Sequence, residues 1–155
     1  MTGMDKVSVK TPAGIFILEK STRGIFRVLF PSRSPKVRHG FKIEPLLRKA
    51  RLRLDLTGYT PFQLKVYAAL RKVQAGKTVT YRDLAKRAGY SGAARAVGSA
   101  MKKNRLPVLI PCHRVLPAGG GLGEYSAGKK WKRWLLESEK SAAQRRTVNV
   151  QQRRP

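Results

Sequence analysis

Residues 60–103 read TPFQLKVYAALRKVQAGKTVTYRDLAKRAGYSGAARAVGSAMKK, and this stretch decides the fold class. Thr60 can cap a helix that begins at Pro61, and Gln63 is placed to return the capping-box bond to the Thr60 backbone. Phe62, Val66, Leu70 and Val73 then fall on one face at spacings of four, four and three, and Gly76 can end the helix. A second helical pattern starts from Thr80, with Asp83 as a weaker capping partner and Leu84, Ala85 and Ala88 as a narrow apolar stripe. After the turn GYSG a third pattern runs over 93–103. Two short helices joined by a glycine-containing turn form a helix-turn-helix candidate over about 80–103.

Toward the N-terminus the pattern changes. Residues 14–18 (GIFIL) and 24–30 (GIFRVLF) are short β-branched and aromatic runs separated by a polar turn, which predicts a hairpin. The segment EPLLRKA from Glu44 predicts a short helix, and RLRLDL from Arg51 alternates basic with apolar, as a strand with one wet face does. Residues 1–55 therefore read as a small sheet-bearing domain without visible chemistry, a structural platform. Residues 56–140 read as a mainly helical domain, and 141–155 as a basic tail, mobile at its end. The fold class is α+β.

The chain has 155 residues with 34 Lys+Arg against 8 Asp+Glu, a formal net charge of +26. An apolar fraction of 41% is far above that of disordered chains, so a core can be buried. No apolar stretch approaches the roughly 18 residues of a membrane span, and the start, MTGMDKVSVK, has no apolar signal core. The expectation is a soluble, cytoplasmic protein, nucleoid-associated, or nuclear in a eukaryote, with no membrane partner. With Cys112 alone, no internal disulfide forms, and only His39 and His113 could add nitrogen ligands to a zinc site, so no metal is expected. So large a positive excess points to a polyanion, most commonly nucleic acid. The 13 basic and 4 acidic residues before Thr60 leave +9, and the 21 and 4 from Thr60 on leave +17, which makes the second part the stronger contact.

The helix over 93–103 has an unusually smooth surface. Ala94, Ala96, Gly98 and Ser99 are small, Arg95 is the one long side chain of its first two turns, and Lys102 stands near its end. A major-groove reading helix carries several polar side chains for base edges, and this one offers few. These residues suit a shallow face laid against a DNA groove, with Arg95 available to fill a gap in the base stack.

In RLPVLIPCHRVLPAGGGLGEYSAG, residues 105–128, Val108, Leu109 and Ile110 read as a buried strand that Pro111 stops, and Cys112-His113 follows directly. A lone cysteine is most often an inert buried residue. Here the neighbouring His113 and the surrounding positive charge favour the thiolate, which is the reactive form. The glycine run after it can form a loop closing over a pocket.

The string IPCHRV (110–115), preceded by TPFQ (60–63) and ARAVGSAM (94–101) and followed by GLGEYS (121–126) and WLLESE (134–139), resembles the O6-alkylguanine-DNA alkyltransferases, the methylated-DNA–protein-cysteine methyltransferases. The motifs cover Thr60 to Glu139 in order; over the first 55 residues the resemblance rests on length and architecture, and it implies a ribonuclease H-like platform there. It implies single-turnover DNA repair, with the alkyl group of O6-alkylguanine, and of O4-alkylthymine, moved irreversibly to Cys112 from a flipped nucleotide. By the same resemblance His113 is the base, acting through a water, Glu139 orients it, and Asn104 braces the turn. Arg95 is the finger entering the stack, and Tyr81 bonds the base at N3 and helps turn the backbone phosphate. Ser126 donates to O6, the carbonyls of Cys112 and Val115 accept from the exocyclic amine, and Met101 and Tyr125 wall the pocket. No cofactor is implied, and the partner is double-stranded DNA containing O6-alkylguanine, bound by a monomer.

Two departures from the family pattern stand out. Asn104-Arg105 replaces Asn-Pro, which predicts a less rigid turn, and the consecutive glycines 119–121 predict an altered pocket width. Two other readings use the same features: a non-catalytic protein recognising alkylguanine, whose known members lack the cysteine, and a helix-turn-helix regulator. A cysteine hydrolase shares the Cys-His pair but leaves the charge without a role.

Overall fold

The computed structural model describes residues 4–35 and 53–151. Strands β1 (Asp5–Thr11), β2 (Gly14–Ser21) and β3 (Gly24–Leu29) form an antiparallel sheet in that order. The predicted hairpin is β2–β3, with Ser21 opposite Gly24 and an irregularity between Glu19 and Lys20. Gly24 has φ 144°, and a Cβ there would overlap the Arg53 carbonyl, so only glycine fits the turn. Strand β1 went unread in the sequence: Val7 and Val9 alternate with Lys6, Ser8 and Lys10, but most of its residues are exposed and two apolar positions are a weak mark of a strand. Of the strand expected from Arg51, the described part makes one parallel bridge, Leu54 to Ile25. The helix expected from Glu44 lies outside the described residues.

Helix α1 (Pro61–Arg71) carries both capping-box bonds at Thr60, and Val66, Leu70 and Val73 are buried. Helix α2 (Tyr81–Arg87) is capped by Thr80, and α3 (Ala94–Lys102) buries Val97, Ala100 and Met101. Helix α4 (Lys129–Gln151) is the longest. It carries the backbone through most of the stretch read from sequence as a tail; that reading is corrected as far as Gln151. Two short strands, β4 (Val79–Thr80) and β5 (Val115–Leu116), pair in parallel. The fold is thus mixed α/β.

One core cluster joins sheet and helices. Phe16 and Phe30 meet Trp131 of α4 edge-on, at centroid distances of 5.6 and 5.0 Å. Such geometry adds about 0.5–1.5 kcal/mol per pair to the burial itself. A second tie is Arg105. Its guanidinium lies between the rings of Phe26 and Tyr59, 4.2 Å from each centroid, and donates to the Thr57 carbonyl at 2.8 Å. Its backbone N–H donates to the Tyr59 hydroxyl at 2.8 Å, and its carbonyl accepts from Val28 N–H at 2.9 Å. The expectation that Arg105 loosens its turn is therefore overturned. A proline could make neither the N–H bond nor the stacked cation contact; arginine holds the turn from outside instead.

Residues 108–110 do not form the expected strand. Val108 sits at φ 72°, unfavourable for a β-branched residue, and the chain turns so that Ile110 N–H donates to the Leu106 carbonyl at 2.8 Å. All three side chains are buried, and burial in a tight turn gives the same apolar run as burial in a strand.

Replacing Arg105 with Ala removes both ring contacts and the carbonyl bonds, and is expected to lower stability by about 2 kcal/mol, read as a reduced urea midpoint with unchanged m-value.

Candidate active site

Cys112 opens a single 3-10 turn, Cys112–Arg114, immediately after Pro111. The turn runs into β5, whose pairing with β4 sets Val115 opposite Val79. Tyr81, the first residue of α2, follows β4 directly, so this pairing brings Tyr81 and Cys112 to one cavity of about 460 Å³. Met101 and Gly98 line it from α3, and Tyr125 and Ser126 from the loop before α4. Lys102 and Glu124 complete the lining. The structure thus gathers Cys112, Tyr81, Met101, Tyr125, Ser126, Gly98 and Lys102 of the predicted residues. Arg95, Ala96 and Ser99 lie exposed on the outer face of α3, with Ala94 half-buried. Glycines 119–121 do not line the cavity, which overturns the expectation that they set its width. Gly123 comes closer: at φ 67° its Cβ position would lie 3.5 Å from the Tyr81 hydroxyl.

Asn104 bridges the turn that precedes Cys112. Its amide donates to the Ile110 carbonyl at 3.0 Å, and its oxygen accepts from Leu106 N–H at 2.9 Å. This spans the strained Val108 from both sides.

Behind the cysteine, His113 is fully buried and its Nε2 lies 2.6 Å from Glu139 Oε1. Burial alone would raise the Glu139 carboxyl, but hydrogen bonds from His113 and Arg114 outweigh it and hold the group at about 2. An ionised carboxylate only accepts, so Nε2 carries the proton in the neutral ring and Nδ1 is left as the bare base. Nδ1 is buried and has no partner among the described protein atoms. Arg114, next in the chain, donates to Glu139 through Nε at 3.1 Å and Nη2 at 2.8 Å, and to the Val73 carbonyl through Nη1 at 2.7 Å. Gly76 N–H adds a bond to Oε2 at 3.1 Å.

Burial pushes the Cys112 thiol up, while the Asn104 and Tyr125 side chains and the Lys132 ammonium act the other way without outweighing it. The expectation of a resting thiolate is therefore corrected. Positive charge is abundant on the surface, where water screens it, whereas desolvation acts on the sulfur directly. Burial likewise raises Tyr81 and Tyr125, so both phenols keep their protons. The Tyr125 hydroxyl lies close to Cys112 without a hydrogen bond of regular geometry.

The matches to known proteins agree with this arrangement. Residues 61–141 fit the DNA-binding domain of 6-O-methylguanine DNA methyltransferase. The chain belongs to that family. A methylated-DNA–protein-cysteine methyltransferase of Thermococcus barophilus is 42% identical over 107 residues, 68% of this chain and 59% of the relative. One from Salmonella typhimurium is 46% identical over 83 residues, 54% of this chain and 48% of the relative. The aligned part thus spans about half the length of the curated relatives. The Mycobacterium tuberculosis homologue, solved in complex with DNA, superposes with a TM-score of 0.70 at 30% identity, covering 87% of this chain and 92% of that one. A Pyrococcus kodakaraensis O6-methylguanine-DNA methyltransferase gives 0.63 at 30% identity, with 86% and 97% coverage.

Two site residues escaped the sequence reading of this methyltransferase homologue. Arg114 stands inside an apolar run, and a charged residue in such a run is buried only when paired. Lys132 is buried too; its Nζ donates to the Val115 carbonyl at 2.8 Å and to the Glu124 carbonyl at 3.5 Å, joining the two ends of the cavity loop. Lys132 and Glu139 are seven residues apart and so share a helix face, which was the available signal. The Val115 carbonyl accepts from Lys132 Nζ, and the Cys112 carbonyl accepts from Val115 N–H.

Two outcomes follow for titration. The folded Glu139 carboxyl, at about 2, lies below the ordinary 4.5, so its stabilisation is complete above about pH 4.5 and is lost as pH falls toward 2. Denaturation against pH should show a loss on the order of 3 kcal/mol from this group, and Glu139→Gln, less stable at neutral pH, should flatten that part of the curve. For Cys112, alkylation by iodoacetamide should keep rising with pH past the ordinary thiol range. Lys132→Met should slow it several-fold at pH 7 and move the profile to higher pH, whereas a purely structural role for Lys132 would leave the profile in place.

Proposed function

We propose that this protein repairs DNA by moving an alkyl group from O6 of guanine, and from O4 of thymine, to Cys112 in a single irreversible step. The observation that carries the reading is the buried Nδ1 of His113, without a partner among the described protein atoms, on the residue next to Cys112, which itself lines a cavity with room for a nucleobase. Helices α2 and α3 act as a helix-turn-helix that lays the smooth α3 face on a DNA groove. The first 55 residues act as a ribonuclease H-like platform, residues 56–140 as the DNA-binding and transfer domain, and the protein works as a monomer.

The alkyl carbon lies inside the duplex, so the nucleotide is extruded into the cavity at a cost of a few kcal/mol. Arg95 enters the stack and offsets part of that cost. The Cys112 proton passes through a water to His113 Nδ1, and Glu139 stabilises the imidazolium that results. The thiolate attacks the alkyl carbon in line; the S–C bond forms, the C–O6 bond breaks, and its electron pair goes to guanine. Charge then grows on O6 and N3, where Ser126 and the protonated Tyr81 donate, so these bonds strengthen toward the transition state. The proton held at His113 returns to guanine and leaves it neutral. A thioether has no easy leaving group, so each molecule acts once.

A resting thiol fits this sequence of events. A free thiolate facing an open cavity would be consumed by any electrophile or oxidant, whereas a thiol ionised only with its relay assembled reacts chiefly with a seated base.

Incubation with a duplex bearing O6-methylguanine should add one methyl mass, located on Cys112 and absent in Cys112→Ser. Unchanged mass with tight binding would favour recognition without transfer. Arg95→Ala should slow duplex repair by about tenfold or more while leaving reaction with free O6-benzylguanine nearly unchanged, since a decade corresponds to about 1.4 kcal/mol of flipping no longer offset. Equal slowing of both would remove the finger role.

A further inference from the structure

We infer that the sugar–phosphate strand leaving the alkyl-transfer cavity is held in a second groove, built jointly by β3 and the end of α3, so that the sheet domain takes part in gripping DNA. This rests on the DNA-repair reading above. The groove, of about 370 Å³, shares Lys102 and Ser126 with the Cys112 cavity, so the two are contiguous. Its apolar floor includes Val28, Leu29 and Phe30 of the sheet side and Pro107 and Ala127 opposite them. Its cations are Arg27 from β3 and Lys102 and Lys103 from the end of α3.

Among the described residues no Asp or Glu lines this groove. Glu19 reaches Arg27 at 3.3 Å, but it also binds Lys6 at 3.6 Å, so one carboxylate is shared between two cations and a positive charge remains. The Arg27 side chain stays 47% exposed, and Lys102 and Lys103 are exposed. The fourth basic residue of the lining, Arg105, has its guanidinium between two rings and is committed to backbone carbonyls. It fixes the groove wall and leaves phosphate binding to the other three.

Cations on the rim over an apolar floor match a sugar–phosphate strand: charged heads reach phosphate oxygens while deoxyribose covers the floor. An acidic peptide would satisfy the rim as well. The continuity with the base cavity favours DNA, because the backbone of a nucleotide seated against Cys112 has a path past the shared Lys102 and Ser126 into the groove. The +9 carried by the residues before Thr60 then has a use in at least one cation, Arg27.

The test compares the whole protein with the double variant Arg27→Ala/Lys103→Ala and with a control pair outside the groove, Lys10→Ala/Lys77→Ala. Binding to undamaged duplex is followed by anisotropy over a range of salt, and transfer is followed with free O6-benzylguanine, which has no phosphate. The groove variant should lose about 0.9 from the log–log salt slope for each cation removed, with duplex affinity down by about tenfold or more at low salt and free-base transfer unchanged. The control should keep a slope close to that of the parent. An unchanged slope in the groove variant, or an equal fall in the control, overturns the inference. Failure of the parent to become alkylated would instead sink the repair reading, and the salt slopes would still report on the groove.

Discussion

The carboxylate of Glu139, ionised and buried, is the constraint around which the C-terminal part is arranged. A desolvated charge is tolerated only when its lone pairs are filled, and here four donors do so: His113, two groups of Arg114, and the Gly76 backbone. The acid and its donors come from three places in the chain. The long helix α4 supplies the acid, the 3-10 turn supplies His113 and Arg114, and the loop after α1 supplies Gly76. Arg114 then reaches on to Val73, closing the cluster onto the end of α1. Such a cluster adds little net stability compared with well-packed apolar residues, but removing one member leaves an unpaired buried charge. Its consequence is geometric, because it fixes the ring of His113 and forces the proton onto Nε2.

On the other side of the cysteine the constraint is backbone strain. Val108 is held at positive φ because Asn104 bonds on both sides of it and Arg105 is pinned between rings of the sheet side and the α1 approach. The cysteine therefore sits between a charge cluster behind it and a braced turn before it. Two independent restraints leave its sulfur little freedom, as the in-line displacement proposed above requires. The same Arg105 that braces the turn also shapes the wall of the neighbouring groove, so the docking of the sheet and the placement of the nucleophile are one mechanical problem.

Much of this was legible in the sequence where local rules dominate. The capping box at Thr60, the apolar face of α1, the smoothness of α3 and the β2–β3 hairpin all follow from spacing or turn chemistry. Three things were hidden, each for a physical reason. Strand β1 is largely exposed, and its alternation is limited to Val7 and Val9. The run 108–110 is apolar because it is buried, and burial does not distinguish a strand from a turn held by a distant asparagine. The protonated resting state of Cys112 depends on desolvation, which is a property of the assembled cavity, while the sequence displays only the surrounding charge. Lys132 and Arg114 were visible as residues, but their burial emerges only when α4 packs against the turn.

Under the proposed function, the net charge of +26 and the cavity would divide the labour of recognition in a way their physics requires. Phosphate contacts are strong, salt-dependent and indifferent to sequence, so they hold the protein to any duplex and let it move along. They cannot distinguish an alkylated guanine from an ordinary one. A helix as bare as α3 offers few groups for base edges, so in the proposed reaction discrimination would fall to the cavity, where an alkyl carbon would come in line with a sulfur that is not yet ionised. On the proposed mechanism the buried thiol would make this selective twice over: only a base that stays extruded would reach it, and only a seated base would stand beside the relay proposed to remove its proton. On that reading surface charge would set how often a lesion is met, and desolvation at Cys112 how rarely the wrong molecule is attacked.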